Sequence, residues 1–511
     1  MQEKTKSITL LVDGSVLKKV MAQKGQQQTP QQIIQYLSHM VQAVRQQNPG
    51  SLIHIQYYGS RLNEPVKLPI SGEPYVEPEL KKGMAHHSVP GAYLTNIWGR
   101  TTYPGDQPWI LRPSSLGKTE LTDADFVFNE RPKGVLTQLV GQMAEYAVCH
   151  PERPLYVYGD VDDMAYAIHT SQWLGSQIKR IEFSNNKPFI SDIPMAKEPR
   201  FFDKERILHM RGNINAQPDP REYLKMLRAQ CPEEQKKTIL MVDVGVVRNY
   251  LEQGGYAITP SNVQMILDQI TATLPDHPSK TILYCGFPTT KTLVSPFPGK
   301  ARAMAEASMD KRILSLPNVE FSIGKTIQDE RYPYILKREK WHTPVDKLEY
   351  RDFDYYFHQS DVDDRVAYDV AVTAMTDPSV DRLVMVTTDG DFGVPVEKAA
   401  AYGLPTWVIC LDSKAHDMSF RLVRGAEAMI PVQQPGGLRT RFAEEEHKRE
   451  SQKVRNDAKR KEIDKKRRAW ARAEADDAGD YDFDGPTKSD REGANRGARR
   501  REKRARLQHR K

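Results

Sequence analysis

The chain has 511 residues, 39% of them hydrophobic, so it is long enough for about three domains with sizeable cores. No apolar run approaches the length of a membrane span, and Asp13 interrupts an apolar start too short for a signal peptide. Four widely separated cysteines lack metal-ligand spacing, which fits a reducing cytosol and predicts a cytoplasmic protein. The net charge of +7 comes from the basic segment Arg439 to Lys511, while the remainder is near neutral.

The first part of the chain alternates between strand and helix patterns. Pro-, Gly- and charge-rich residues 60–92 and 101–130 read as long loops or insertions, apart from a short strand at Tyr93 to Ile97. The periodicity predicts strands and helices in this order: strand Ser7–Val12, helix Thr29–Arg45, strand Leu52–Tyr58, helix Lys133–Val148, strand Leu155–Tyr158, a helix ending at Leu174 and strand Ile178–Phe183.

The same pattern then repeats. Four segments of the first part match four later segments in the same order: 6–17 with 236–247, 52–59 with 280–286, 92–100 with 312–325, and 155–162 with 383–391. One match would be chance, but four in order indicate a duplicated α/β domain of about 190 residues. We therefore predict two tandem Rossmann-like α/β/α domains with parallel sheets, 1–185 and 236–432, a connector over 186–235 with one or two short helices, and a charged helical and disordered tail over 433–511.

The stretch Val380 to Cys410 reads as strand, acidic turn, helix, glycine and strand. Its turn carries Asp389 and Asp391, which would repel each other by about 4 kcal/mol at a separation of ~4 Å and an effective dielectric of ~20. A divalent cation would remove that cost. The alternative is that one aspartate caps the helix and the other faces water.

Five carboxylates of the second copy are candidates for one site at the carboxyl ends of the strands, where ligands bind in open α/β sheets. Oxygen ligands of this kind suit Mg²⁺ or Mn²⁺, which could activate water and neutralise charge on a phosphate. Six residues turn a helix by about 240° beyond a full circuit, so two of the candidates, Asp363 and Asp369, do not share a face. Capping with Ser360 is an alternative role for Asp363, and the apolar setting of Asp369 favours a functional role for it. The five are Asp243, Asp363, Asp369, Asp389 and Asp391.

These residues resemble the NYN family of PIN-like nucleases. That family has a strand-one Asp in a VDG context, a K-G-V-D helix start with another Asp six residues later, and an S-G-D-x-D-F turn. The matches here are VDVG, DVD with Asp369 six residues on, and TTDGDF, and they cover residues 236–432 well and 6–185 more weakly. The resemblance implies a PIN-like α/β/α fold and metal-dependent ribonuclease activity. It also implies that Asp243, Asp369, Asp389 and Asp391 bind Mg²⁺ or Mn²⁺ or position water, with Asp363 in support.

The chain departs from the family pattern at several positions. Val246 and Val16 replace a polar residue three positions after the strand-one Asp, and Ser360 replaces the family lysine. In the first copy, Leu136 and Gln142 replace the two helix carboxylates, although Asp13, Asp160 and Asp162 remain. We therefore interpret the first copy as a degenerate partner with lower metal affinity, which could bind RNA, stabilise the second copy or form a pseudo-dimer with it.

The leading hypothesis is a metal-dependent endoribonuclease acting on single-stranded RNA that the basic tail helps to hold. The alternative is a non-catalytic RNA-binding or scaffold protein, and a homo-oligomer is also possible. A haloacid-dehalogenase-type phosphatase is disfavoured because Val244 and Gly245 follow Asp243, and a Toprim-type site because the strand-one acid is not Glu. The tail residues expected to contact phosphates are Arg496, Arg499, Arg500, Arg501, Lys503, Arg504 and Arg506.

Overall fold

The computed structural model describes residues 6–432. Its longer gaps are 63–65, 75–79, 103–107, 196–201, 289–310, 329–333 and 412–419, and some single or paired residues are also left out. The predicted charged helical and disordered tail over 433–511, with its seven basic residues from Arg496 to Arg506, lies outside the described residues.

The first half has a seven-stranded sheet in the order β6-β3-β2-β1-β7-β8-β9, parallel except for the outermost strands β6 and β9. Strands β4 and β5 form a separate antiparallel pair. The elements are β1 Ser7–Asp13, α1 Gly14–Gln23, α2 Pro30–Gln47, β2 Leu52–Leu62, α3 Leu80–Ala85, β3 Ala92–Thr102, β4 Trp109–Leu111, β5 Phe126–Phe128, β6 Arg131–Lys133, α4 Val135–Cys149, β7 Leu155–Tyr158, α5 Ala165–Trp173, β8 Ile178–Ser184 and β9 Lys187–Asp192.

The second half repeats this plan after two connecting helices. Its sheet has the order β15-β12-β11-β10-β16-β17-β18, with only β15 antiparallel among the described strands, and β13 and β14 form a separate pair. The elements are α6 Lys204–Asn215, α7 Pro220–Ala229, β10 Lys237–Asp243, α8 Val244–Gln253, α9 Pro260–Thr273, β11 Lys280–Pro288, β12 Glu320–Gln328, β13 Tyr334–Leu336, β14 Phe353–Tyr355, β15 Phe357–Ser360, α10 Val362–Thr376, β16 Val380–Val386, α11 Gly393–Ala401, β17 Thr406–Cys410, α12 Phe420–Gly425 and β18 Ala428–Pro431.

The predicted α/β class with two mostly parallel sheets is confirmed. The four matched segments become β1, β2, β3 and β7 in one half and β10, β11, β12 and β16 in the other, and β1 and β10 are central in their sheets. Continuous apolar runs such as Leu240 to Val242 form these strands because helices cover both faces of a parallel sheet. Among the described residues, no helix is long and apolar enough to cross a membrane.

The regions read as loops or insertions contain short elements of their own. The stretch 60–92 contains α3, 101–130 contains the β4–β5 pair, and the strand predicted at Tyr93 to Ile97 extends over Ala92–Thr102. In the predicted connector, Lys187–Asp192 adds β9 to the first sheet, paired antiparallel with β8. Strands of three to six residues carry too little periodicity to be distinguished from loops, and their partners are distant in sequence.

The two antiparallel pairs are equivalent insertions that pack on each other. In the first, Asp125 accepts hydrogen bonds from the Thr122 amide (2.8 Å) and from Lys118 (2.5 Å). In the second, Asp352 accepts the Glu349 amide (2.9 Å) and pairs with Lys340 (3.0 Å). The rings of Phe126 and Trp341 lie 4.6 Å apart across the two insertions. The internal duplication therefore includes these insertions, whose sequences diverge too far to reveal it.

The two halves share one apolar core. Helix α4 of the first half packs along α10 of the second, and both contribute buried apolar side chains to a single cluster. Polar contacts cross the same boundary, including Ser171 Oγ with Tyr368 Oη at 2.8 Å. The α4–α10 packing therefore joins the halves through a desolvated interface.

The connecting helix α7 is joined to the second half by one buried guanidinium. Arg228 donates hydrogen bonds to the backbone carbonyls of Tyr402 (2.6 Å) and Ala374 (2.6 Å), with longer bonds to those of Asp377 and Val380. Only 6% of Arg228 is exposed. This side chain therefore links the carboxyl end of α10 to that of α11. Removing it would leave buried carbonyls without a hydrogen-bond donor, which is energetically costly.

We expect Arg228→Met to lower the free energy of unfolding of the second half by about 2–4 kcal/mol. The apolar stem is kept, but several buried carbonyls lose a charged donor. Urea denaturation of the full chain would measure this change. The matched control is Lys225→Met on the same helix, where the side chain is 45% exposed and forms an ion pair with Glu222. Equal shifts for both variants would contradict the assignment.

Candidate metal centre

The acidic turn follows β16 directly, at the carboxyl end of a central strand. Asp389 caps the single 3₁₀ turn Gly390–Phe392, and its Oδ1 accepts the amide of Asp391 at 3.0 Å. The Asp389 amide in turn donates to Thr387 Oγ1 at 3.1 Å. Phe392 is fully buried beneath the turn. The apolar anchor and the two local hydrogen bonds fix the direction of both carboxylates.

Three carboxylates converge at this turn. One oxygen from each of Asp363, Asp389 and Asp391 lies within 4.8 Å of the other two. Asp391 is buried and the other two are half-buried. Three like charges at this spacing repel one another strongly in a partly desolvated setting. A hard divalent cation bound by carboxylate oxygens would offset that repulsion, so the donor set fits Mg²⁺ or Mn²⁺.

Asp243 lies at the same sheet edge but outside that group. It ends β10, whose Val242 is paired with Val386 of β16, and its Oδ1 accepts the Gly245 amide at 2.8 Å as the cap of α8. It also lines a small cavity together with Thr387 and other residues. Asp243 therefore stands beside the three carboxylates without contributing to their cluster.

Asp369 is placed differently from the expectation that it binds metal. It is 1% exposed, and its two oxygens accept hydrogen bonds from Tyr166 Oη (2.8 Å) and Tyr284 Oη (2.9 Å). Burial raises the pKa of Asp369 to about 7, although the tyrosine hydrogen bonds and Arg365 act to lower it. The structure gives this carboxyl a place between the two halves, because Tyr166 belongs to α5 and Tyr284 to β11.

Of the two helix aspartates, the structure brings Asp363 to the acidic turn, whereas the sequence favoured a functional role for Asp369. Asp363 lies in the first turn of α10, where it reaches the acidic turn, whereas Asp369 points elsewhere from the middle of the helix. The helical rotation explains this result, because six residues separate the two side chains by about 240°. An apolar sequence neighbourhood marked Asp369 as unusual without indicating its partners.

Sequence reasoning did not single out three residues near this site. Tyr166 and Tyr284 hold Asp369. Asp364, the third residue of α10, is only 1% exposed. The acidic run DVDD was a visible signal for Asp364. No sequence signal marked the two tyrosines, because their contacts with Asp369 depend on how distant elements and the two halves pack together.

The first half repeats the turn without completing the cluster. Asp160 Oδ1 accepts the amide of Asp162 at 3.0 Å, as Asp389 does for Asp391. Asp13 accepts the Ser15 amide at 2.8 Å, and burial raises its pKa despite the hydrogen bonds from Ser15 and Val16. Leu136 occupies the helix position that corresponds to Asp363. Within the described residues, no group of three metal-ligating side chains forms in this half.

Comparison with known proteins adds little to this description. No family model matches the chain, and no curated protein matches it. Among solved structures, the phosphoglycerate kinase from Coxiella burnetii is similar at 11% identity and a TM-score of 0.19, covering 86% of this chain and 93% of that one. A similarity this low supports no functional argument.

We expect the stability contributed by Asp369 to fall as pH rises. Its folded-state pKa of about 7 exceeds the ordinary value of 3.8, so the folded protein holds this proton more tightly than the unfolded chain. Its contribution is full below about pH 4 and is lost as pH rises through 7, a change on the order of 4 kcal/mol.

Urea denaturation of wild type and Asp369→Asn between pH 5 and pH 8 would measure this dependence. The variant should show a flatter decline of unfolding free energy with pH. Asp268→Asn, at an exposed position on α9, serves as the control and should keep the wild-type slope. Identical pH profiles for wild type and Asp369→Asn would contradict the assignment.

Proposed function

We propose that the protein is a metal-dependent ribonuclease that hydrolyses RNA phosphodiesters at the carboxyl edge of the second sheet. The observation that carries this proposal is the convergence of Asp363, Asp389 and Asp391 within 4.8 Å. The resemblance of VDVG, DVD and TTDGDF to the NYN motifs supports it, because the same three segments supply Asp243 and the clustered carboxylates.

In this proposal Asp363, Asp389 and Asp391 hold Mg²⁺ or Mn²⁺. A bound divalent ion would lower the pKa of a water molecule and offset charge developing on the phosphate. Asp389 also fixes the turn through its bond to the Asp391 amide, so one residue serves both geometry and charge. Asp243, at the neighbouring strand end, would position the attacking water or accept its proton.

Asp369 has a supporting role in the proposal. Its hydrogen bonds to Tyr166 and Tyr284 hold the middle of α10 against the first half and against β11. This fixes the helix whose first turn carries Asp363. In this proposal Asp363, and not Asp369, is therefore the metal ligand from α10.

The substrate proposed is single-stranded RNA, which the basic tail helps to retain. Lysine and arginine release counterions from phosphates, which gives affinity that falls with salt and does not depend on sequence. The segment from Arg496 to Arg506 has that composition.

A non-catalytic RNA-binding or scaffold protein is the second candidate. Val246 and Ser360 stand where the family pattern has a polar residue and a lysine, and these departures favour it. The intact carboxylate cluster of the second half favours the nuclease. Cleavage assays separate the two candidates.

We expect Asp389→Asn/Asp391→Asn to lower metal-dependent cleavage of labelled single-stranded RNA by at least about 10²–10³-fold. The variant keeps the side-chain volumes but removes two charges proposed to hold the metal. The matched control is Asp160→Asn/Asp162→Asn, which changes the same turn in the first half. Cleavage that is unaffected by the second-half variant would refute the site, and RNA binding without cleavage in wild type would favour the scaffold.

We also expect Mn²⁺ to stabilise the protein through the second half. A ligand at 100 times its dissociation constant raises the free energy of unfolding by about 2.7 kcal/mol. Calorimetric titration and thermal unfolding should show a Mn²⁺ effect in wild type and in Asp160→Asn/Asp162→Asn. The effect should be absent in Asp363→Asn/Asp391→Asn. A site that survives this second variant would place the metal elsewhere.

A further inference from the structure

The first half reaches across the shared core to the acidic turn of the second half. Thr137, the third residue of α4, donates a hydrogen bond from Oγ1 to the backbone carbonyl of Asp391 at 3.1 Å. Thr137 is 3% exposed, so water does not compete for this carbonyl. We infer that Thr137 is a positioning residue for the acidic turn, an inference that rests on the proposed function of that turn.

A second set of contacts holds the helix that follows the turn. Lys398 of α11 donates to the carbonyl of Gly141 at 2.7 Å and pairs with Glu145 at 2.6 Å. Tyr402 donates to the same Glu145 carboxylate at 3.0 Å. Gly141 and Glu145 lie on α4, one and two turns after Thr137. Helix α4 therefore contacts the turn at one end and α11 along its length.

The contact by Thr137 acts on the geometry of the cluster. The Asp391 amide is held by Asp389 within the turn, and its carbonyl is held by Thr137 from the other half. With both polar groups of this residue's backbone fixed, rotation of the turn that would move the Asp391 carboxylate away from Asp363 is opposed. Within the second half, the buried Phe392 and two local hydrogen bonds hold this turn, and Thr137 adds a hydrogen bond from the first half.

The arrangement gives the degenerate half a defined task. Its helix position that corresponds to Asp363 is Leu136, and the next residue, Thr137, is used for the partner's turn. Asp364 is the third residue of α10 as Thr137 is of α4, so the two halves differ at equivalent places. The first half thus acts as a built-in support for the acidic turn of the second.

The test compares Thr137→Val with Thr137→Ser and Ser171→Ala. Valine keeps the volume and removes the donor, and serine restores the hydroxyl. Ser171→Ala removes a buried hydrogen bond of the same type between the halves, to Tyr368, without touching the turn. Circular dichroism and urea midpoints would confirm that each full-length variant folds.

The readouts are amide hydrogen exchange of the peptide spanning residues 386–393, Mn²⁺ affinity by calorimetry, and RNA cleavage. Loss of one buried hydrogen bond should speed exchange of this peptide and weaken Mn²⁺ binding by about three- to tenfold in Thr137→Val. The value of kcat should fall while KM for RNA stays unchanged. Thr137→Ser and Ser171→Ala should resemble wild type in all three.

Equal amide exchange of the turn in Thr137→Val and Ser171→Ala would overturn the inference. In that case loss of either buried hydrogen bond between the halves would loosen the turn to the same extent, and Thr137 would have no specific effect on it. If wild type neither binds Mn²⁺ nor cleaves RNA, the proposed function fails. In that case, amide hydrogen exchange of residues 386–393 still shows whether Thr137 holds the acidic turn in place.

Discussion

The burial of α4 against α10 is the constraint on which the rest of the structure depends. These helices bring two separate sheets into one apolar core, and their polar side chains must then find partners across the boundary. Tyr166 with Asp369 and Thr137 with the Asp391 carbonyl are two results of that requirement. A carboxyl and a carbonyl that would each be costly to bury alone each accept a hydrogen bond from the opposite half.

This constraint also explains how a duplicated fold can become unequal. Both halves keep the turn after the central strand, with the same 3.0 Å hydrogen bond from the second aspartate amide to the first carboxylate. Both keep the strand-one aspartate as a helix cap. The halves differ on the helices that meet at the core, where α10 carries Asp363 and α4 carries Leu136. Helix α4, which has no carboxylate at that position, contributes packing and a hydroxyl donor instead.

Much of the fold could be predicted because its signals are local and repeated. Apolar runs such as Leu155 to Tyr158 form buried strands, because both faces of a parallel sheet are covered by helices. Gly403 adopts a φ of +75° at the end of α11, as its position after the helix indicated. The pairs Thr29–Pro30 and Thr259–Pro260 begin corresponding helices as cap and first residue, so the duplication is visible in the sequence at these positions as well. The strand pairs inside the insertions could not be predicted, because short strands gain their stability from partners that are distant in the chain.

For the site, the sequence alone determined which residue types stand at the strand ends and on the helix. It identified the acidic turn, the strand-one aspartate and the presence of Leu136 and Gln142 in the first copy where the second has Asp363 and Asp369. Only the tertiary structure decided which carboxylates meet, because helix rotation separates Asp363 from Asp369 and the opposite half supplies Tyr166. Local composition fixes the local chemistry of a segment. Grouping of charges, their burial and their hydrogen-bond partners depend on the packing of elements that lie more than 200 residues apart in the chain.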